Sequence, residues 1–351
     1  MNMRERMVAV VRGEEHDCVP FVQYTCITAP NEEVWAEVGR DNIGILYWLF
    51  PYRNETPNCR FETEPIEVNG MRGERTTIHT PKGSISQEKL FNRILGSGAV
   101  WKHYIRDVED YQALLAYFND ITVVADPDYF FRVDKELGND GFPHVSVPET
   151  PFQQLWVNWV CLEDLCLHMI DYPDLMDDVI SAIGKHLRAT FEVVRRLPTP
   201  YVVFPDNVTA PVIGEKYFRQ YCLPYYIELA DMLEGTGILT YAHFDGDLKP
   251  LWKAIGESKL RGLDSFSPPP DNDTGVGQAA EMWPDMRLCV NFPSSVHLAS
   301  SEVIRETADR ILSEAGHTGR LQIQISENMP PGVWHKSYPI IINAIREFGK
   351  P

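Results

Sequence analysis

Positive charge is scarce in this chain of 351 residues: 32 lysines and arginines stand against 50 aspartates and glutamates, a formal charge of −18 at pH 7. Nucleic acid and anionic membranes need clustered cations, so neither is an expected partner. A bare polyanionic substrate is disfavoured too, unless a local basic pocket overrides the average. Cysteine pairing is also missing. The seven cysteines, at 18, 26, 59, 161, 166, 222 and 289, are scattered, odd in number and contain no Cys-x-x-Cys. That excludes a disulfide framework or zinc ribbon and points to reduced thiols, with Cys222 and Cys289 as packing residues. No apolar run approaches a membrane span, and neither a Gly-x-Gly-x-x-Gly, a phosphate-binding loop nor a Gly-x-Ser-x-Gly elbow occurs. The first residues, Met1-Asn-Met-Arg-Glu-Arg6, are charged and lead into a short amphipathic helix, so a cytoplasmic location is expected. What the chain does have is core: 44% of it is apolar and 11% aromatic, enough for one large barrel or two ordinary domains.

From Cys59 to Leu90 short alternating runs are punctuated by Asn69-Gly70 and Pro81-Lys82-Gly83, the signature of antiparallel hairpins. This block, residues 59–90, reads as an insertion. Around it, strand-like runs alternate with helical spacing. The strands are expected at Val19–Tyr24, Thr122–Ala125, His144–Val147, Tyr201–Phe204, Gly237–Ala242, Leu260–Leu263, Arg287–Asn291 and Gly319–Ile325. Helices between parallel strands imply crossover connections. Strands in this number favour a closed (β/α)8 TIM barrel over an open doubly wound sheet, with residues 1–351 forming one domain.

Chemistry in such a barrel sits at the C-terminal ends of the strands. The most informative end is Gly237-Ile-Leu-Thr-Tyr-Ala-His243-Phe-Asp245-Gly-Asp247, where an apolar run stops in an imidazole and two carboxylates. His243 and Asp245 are two apart, so in an extended segment they share a side and suit a divalent metal or a proton-transfer pair. A helix N-cap at Asp245 or Asp247 is the plainer alternative. Other ends supply Tyr24, Glu149 with Phe152 and Gln153, Asp206 with Asn207, Asp264, Asn291 and Glu327. Asp264 reads as structural, and Asn291 as bonding the loop backbone or touching substrate. Carboxylates converging on one rim repel unless they share a proton or a cation. Tyr24, Trp48 and Phe152 are candidate walls of an apolar pocket.

Several segments, in order, resemble the uroporphyrinogen decarboxylase superfamily. They are Arg4-Glu-Arg-Met-Val-Ala-Val-Val-Arg-Gly-Glu14 with Val19-Pro20-Phe21, then Leu223-Pro224-Tyr225-Tyr226, Gly262-Leu-Asp264 and Met329-Pro-Pro-Gly-Val. The resemblance runs over nearly the whole chain and implies a (β/α)8 barrel. It also implies one of two chemistries. True uroporphyrinogen decarboxylases carry an arginine-rich signature for substrate carboxylates. The equivalent segment here, Tyr24-Thr-Cys-Ile-Thr-Ala-Pro-Asn31, has no arginine. The corrinoid-dependent methyltransferase branch holds zinc through His-x-Cys and a later Cys. His243-x-Asp245-Gly246 looks like the first element, and Glu327-Asn-Met-Pro-Pro resembles Cys-Gly-Ile-Pro-Pro. The resemblance thus implies His243, Asp245 and Glu327 as metal ligands, with hard carboxylates where relatives have soft thiolates.

The expected activity is a metal-assisted methyltransferase or demethylase, passing a methyl group from a small ether or amine to a corrinoid protein. His243, Asp245 and Glu327 are its expected catalytic and Zn²⁺-binding residues. Asp206 or Glu149 would manage a proton or orient substrate. Tyr24, Trp48, Phe152, Gln153, Asn207, Asp247 and Asn291 are the expected substrate contacts. The alternatives are a metal-free decarboxylase or lyase acting on a small carboxylate, and a non-catalytic small-molecule binding barrel. The expected partners are the substrate, a corrinoid protein and a second copy in a homodimer.

Overall fold

Eight short segments, most of them buried on both faces, form one parallel sheet in the computed structural model, which describes residues 1–92 and 98–351. They are β1 (Phe21–Tyr24), β2 (Gly44–Leu49), β3 (Gly141–Val145), β4 (Tyr201–Phe204), β5 (Leu239–His243), β6 (Gly262–Phe266), β7 (Arg287–Asn291) and β8 (Leu321–Ile325). Their order in the sheet is β4-β5-β6-β7-β8-β1-β2-β3. The last gap closes where Ser146 bridges Val203 in parallel and the Val147 N–H donates to the Val203 carbonyl at 3.1 Å. The result is the expected (β/α)8 barrel. Near-continuous burial explains the apolar runs, since parallel strands are covered on both faces.

The barrel interior is filled from below. Met3, Met7, Val11, Val22, Leu46, Phe142, Tyr201, Val203, Tyr241 and Cys289 form one buried cluster. Three of these come from helix Met3–Arg12, started by an Asn2–Glu5 capping box and stopped by left-handed Gly13. Gly44 lets that helix seat closely, because a Cβ there would lie 2.6 Å from the Met3 side chain. Side chains alternate along a strand. The residues two positions beyond Val22, Leu46, Phe142 and Tyr241 are therefore Tyr24, Trp48, His144 and His243, a polar and aromatic layer above the apolar one.

The chain divides into two compact units. The barrel unit comprises residues 1–51, 127–147 and 194–351; the other comprises 52–126 and 148–193. In the second unit, Arg60–Val68, Met71–Thr80, Gly83–Phe91 and Gly98–Lys102 form a four-stranded antiparallel sheet. Asn69 and Gly70 both have positive φ and close the first hairpin, as the Asn-Gly signal predicts. The sheet outruns the expected 59–90 block, because Gly98–Lys102 pairs with Gly83–Phe91.

Two strand assignments change. Thr122–Ala125 is not a barrel strand: it pairs antiparallel with Tyr52–Glu55 in the second unit. Its place in the barrel belongs to Gly44–Leu49, a run of Ile, Leu, Tyr, Trp and Leu not anticipated as a strand. The local pattern of a short apolar run does not say which sheet it joins. Among the described residues, no helix is long and apolar enough to cross a membrane.

Candidate active site

Strand register sets the centre of the barrel mouth. β5 and β6 pair His243 directly with Asp264, and β2 and β3 pair Trp48 with His144. Asp264 is wholly buried, and its carboxylate collects hydrogen bonds from three side chains. The Tyr24 hydroxyl donates to Oδ2 at 2.6 Å, His243 Nδ1 lies 3.1 Å from Oδ2, and Gln324 Nε2 donates to Oδ1 at 3.0 Å. His144 Nε2 stands 3.3 Å from Oδ2 without hydrogen-bond alignment, so that contact is electrostatic. On its other side His144 Nδ1 meets the Tyr201 hydroxyl at 2.7 Å.

These contacts decide the charges. Burial pushes the Asp264 carboxyl upward, but His144 and His243 outweigh it and hold the group well below the usual carboxylate range. His243 is buried, which alone would favour the neutral ring; Asp245 and Asp264 outweigh burial and raise it to about 10. Burial, then the Asp264 charge, keeps the Tyr24 hydroxyl protonated and hence a donor.

Because Asp264 occupies Nδ1, the His243 Nε2 atom faces the rim, 3.8 Å from Asp245 Oδ2. Ligand atoms of His243, Asp245 and Glu327 all lie within 4.8 Å of one another. A tetrahedral Zn²⁺ with ligands at about 2.1 Å sets them about 3.4 Å apart. Asp245 and Glu327 are half-buried, and binding an ion would need their side chains to rotate towards His243 Nε2. The donor set fits: an imidazole whose far nitrogen is fixed by a carboxylate, plus two oxygen ligands, is a recurring metal arrangement. Burial raises the Glu327 carboxyl, and the neighbouring Asp245 charge raises it further. That is the repulsion a cation would relieve.

The loop carrying Asp245 is held by its backbone. The Asp247 N–H donates to Thr209 Oγ1 at 3.3 Å, the Asp247 carbonyl accepts from the Ala210 N–H at 2.7 Å, and Asn272 donates to the Asp245 carbonyl. Neither aspartate caps the helix that follows, since the free N–H groups of Leu248 and Lys249 are taken by Asp273. The N-cap alternative therefore falls. Gly246 is required by close approach: a Cβ there would sit 2.3 Å from Thr209 Cβ and 2.7 Å from the Val208 carbonyl. Gly246→Ala is expected to cost about 1–3 kcal/mol, read as a lower urea midpoint, and to displace Asp245.

Other expected site residues have varied places. Trp48 is half-buried, its ring centroid 4.7 Å from that of His144 and 6.0 Å from that of His243. The Tyr24 hydroxyl is spent on Asp264. Asp206 lies buried at the end of β4 and accepts a hydrogen bond from Tyr226, with Asn207 beside it at φ 46°. The Asn291 amide is buried, donating to Ser267 Oγ at 3.2 Å and accepting from Ser326. Glu149, Phe152 and Gln153 belong to the second unit. There Asn158 donates to Glu149 at 3.2 Å, Trp156 donates to Gln153 at 3.0 Å, and Phe152 is buried. Burial shifts the Glu149 carboxyl upward.

Sequence reasoning took Asp264 as structural and passed over His144 and Gln324. His144 was expected to open its strand, but β3 begins at Gly141, which moves His144 towards the C-terminal end. Asp264 carried a usable signal, a carboxylate inside the buried run Gly262–Phe266. β6 shifts register between Leu263 and Phe266, and Ser265 has φ 54°. Such a bulge beside a site re-aims its neighbours.

Residues 96–348 match the model of a family described as uroporphyrinogen decarboxylase (URO-D). No curated protein matches the chain. Among solved structures, a methyltransferase from Methanosarcina mazei is similar over 99% of both chains, at 14% identity and a TM-score of 0.58. At that identity the likeness is one of fold. A D-psicose 3-epimerase from Clostridium cellulolyticum H10 shares 11% identity, over 63% of this chain and 83% of its own, with a TM-score of 0.35. A likeness so slight carries no argument.

Proposed function

The chain belongs to the uroporphyrinogen decarboxylase family, and we propose that it is a metal-assisted methyltransferase acting on a small methyl ether or methylamine. The acceptor is a corrinoid carried by a partner protein. The observation that carries this reading is the convergence of His243, Asp245 and Glu327, with Asp264 fixing the far nitrogen of the imidazole. The likeness to the Methanosarcina mazei methyltransferase over the full chain agrees with it. A divalent cation bound there supplies Lewis-acid polarisation of the donor's oxygen or nitrogen. His243, Asp245 and Glu327 would hold that ion, and Asp264 locks the imidazole through Nδ1, leaving Nε2 for it. A corrinoid acceptor would supply the electron pair for the new bond to the methyl group, and the pair of the broken methyl–heteroatom bond would stay on oxygen or nitrogen. Trp48 supplies an apolar wall beside His243 and excludes water from the transfer.

Carboxylate ligands in place of thiolates suit an oxygen- or nitrogen-bearing donor better than activation of a thiol. The segment Tyr24–Asn31 contains no arginine, so nothing in it neutralises the acid side chains of a porphyrinogen. One observation favours a second reading. A His243 imidazolium between two carboxylates is also a proton donor, as a metal-free lyase acting on a small carboxylate would need.

Elemental analysis separates the two. Purified protein is expected to hold about one equivalent of zinc, lost in His243→Ala and in Glu327→Ala while the fold persists. Protein that stays metal-free after zinc supplementation and dialysis refutes the methyltransferase reading. With metal bound, methylation of free cob(I)alamin is then followed spectroscopically across a panel of methyl ethers and methylamines. Trp48→Ala is expected to raise KM about tenfold with zinc content unchanged. An unaltered KM would remove Trp48 from the pocket.

A further inference from the structure

Glu327 lies just beyond β8, where neither strand nor helix hydrogen bonds hold the backbone. A ligand on such a segment needs another anchor, and the adjacent residue has one. The Ser326 N–H donates to Asn291 Oδ1 at 3.1 Å, and the Ser326 hydroxyl donates to the same oxygen at 3.0 Å. The other end of that amide donates to Ser267 Oγ at 3.2 Å, and Ser267 Oγ donates to the Ser265 carbonyl at 3.3 Å. Ser265 and Ser326 also bond directly through their hydroxyls. Ser265 follows Asp264 and holds a left-handed φ of 54°, a conformation that persists only when its surroundings enforce it.

We infer that Asn291 is the positioning residue of the metal centre, tying the Glu327 ligand segment through Ser326 to the Asp264 bulge through Ser265 and Ser267. The inference rests on the metal-centre reading. Asn291 is 1% exposed and does not reach the metal ligands' donor atoms; it acts through its neighbours. An amide suits the task because it presents an acceptor to the residue after β8 and a donor to the residue after β6, from one side chain on the strand between them. Buried amides with both ends satisfied fix one arrangement strongly, since any alternative leaves a polar group unpaired. The clamp thus couples the two points on which the centre depends: the carboxylate that orients His243 and the carboxylate that closes the ligand set.

Zinc affinity is the test, measured by competition with a chromogenic chelator on folded protein well below its melting midpoint. Asn291→Leu removes both ends of the clamp and is expected to weaken zinc binding about 10–100-fold. Asn291→Asp keeps the acceptor for Ser326, and Ser326→Ala keeps the backbone donor; each is expected to weaken zinc binding about three- to tenfold. The Co²⁺-substituted Asn291→Leu protein is expected to show a weakened tetrahedral visible band, which a loss of stability alone would not produce. A merely structural role predicts a lower melting midpoint with wild-type zinc affinity and an unchanged cobalt spectrum, and that result overturns the inference. If Asn291→Leu does not fold, wild-type affinity in both Asn291→Asp and Ser326→Ala overturns it equally. Failure of the wild-type protein to bind zinc in the same titration instead brings down the metal-centre reading, and this one with it.

Discussion

Asp264→Ala is expected to lower the melting midpoint by about 6 °C and to strip the protein of its metal affinity. The reason is the company this carboxylate keeps. It is fully buried and serves Tyr24, His243 and Gln324 by hydrogen bonds, with His144 at 3.3 Å. Removing one partner of a buried charge network leaves the others desolvated and unpaired, at about 3–5 kcal/mol. In a chain of this size each kcal/mol moves the midpoint by roughly 1.4 °C. Asp264→Asn separates shape from charge. The amide fills the same space, but its NH₂ group opposes donors, and the imidazole is no longer held by an anion. Asp264→Asn is therefore expected to melt between the alanine variant and the wild type, with metal affinity reduced about 10–100-fold. Calorimetry and chelator competition on both variants check this. An alanine variant melting within about 2 °C of wild type would show the carboxylate to be incidental.

The second large effect is on pH. His243 is raised to about 10, against burial, by Asp245 and Asp264. A metal can occupy Nε2 only when the ring has given up a proton, so the two compete. Zinc affinity is expected to rise about tenfold per pH unit between roughly pH 7 and 9, flattening near the raised value. At lower pH the upward-shifted Glu327 carboxyl steepens the dependence. The metal-free protein behaves in the opposite sense. A group whose folded-state pKa is raised stabilises fully below its unfolded value, about 6.5 for histidine, and loses that contribution as pH climbs through the folded value. Metal-free protein is thus expected to lose stability between about pH 6.5 and 10, whereas zinc-loaded protein is not. Melting curves over that range, with and without chelator, test both signs. Parallel curves would mean that His243 does not exchange its proton for a metal.

Much of the architecture is legible from local pattern. Asn69-Gly70 predicts a hairpin because Asn and Gly accept the positive φ that its turn demands, and both residues adopt it. The apolar run at Tyr201–Phe204 predicts a strand buried on both faces, and Leu321–Ile325 predicts one by its two-residue alternation, although its glutamines are buried too. The strand-tip trio was legible too, once His243, Asp245 and Glu327 were placed at the ends of barrel strands. What misled was equally local. Thr122–Ala125 has a strand's composition but not the barrel's neighbours, and Gly44–Leu49, an apolar run set off by Gly39, Asp41-Asn42 and Pro51, has those neighbours instead.

By itself, then, the chain's order of residues determined the class of fold, the hairpin sheet and the strand end on which His243 and Asp245 stand, because each follows from periodicity within a few residues. Tertiary structure alone decided that Asp264 faces His243, that His144 and Gln324 join them, and that Asn291 spans the segments before Glu327 and after Asp264. Those pairings depend on the register between strands and on one bulge in β6. Register is settled by the packing of the whole barrel, from helix Met3–Arg12 upward, and no window of sequence contains it.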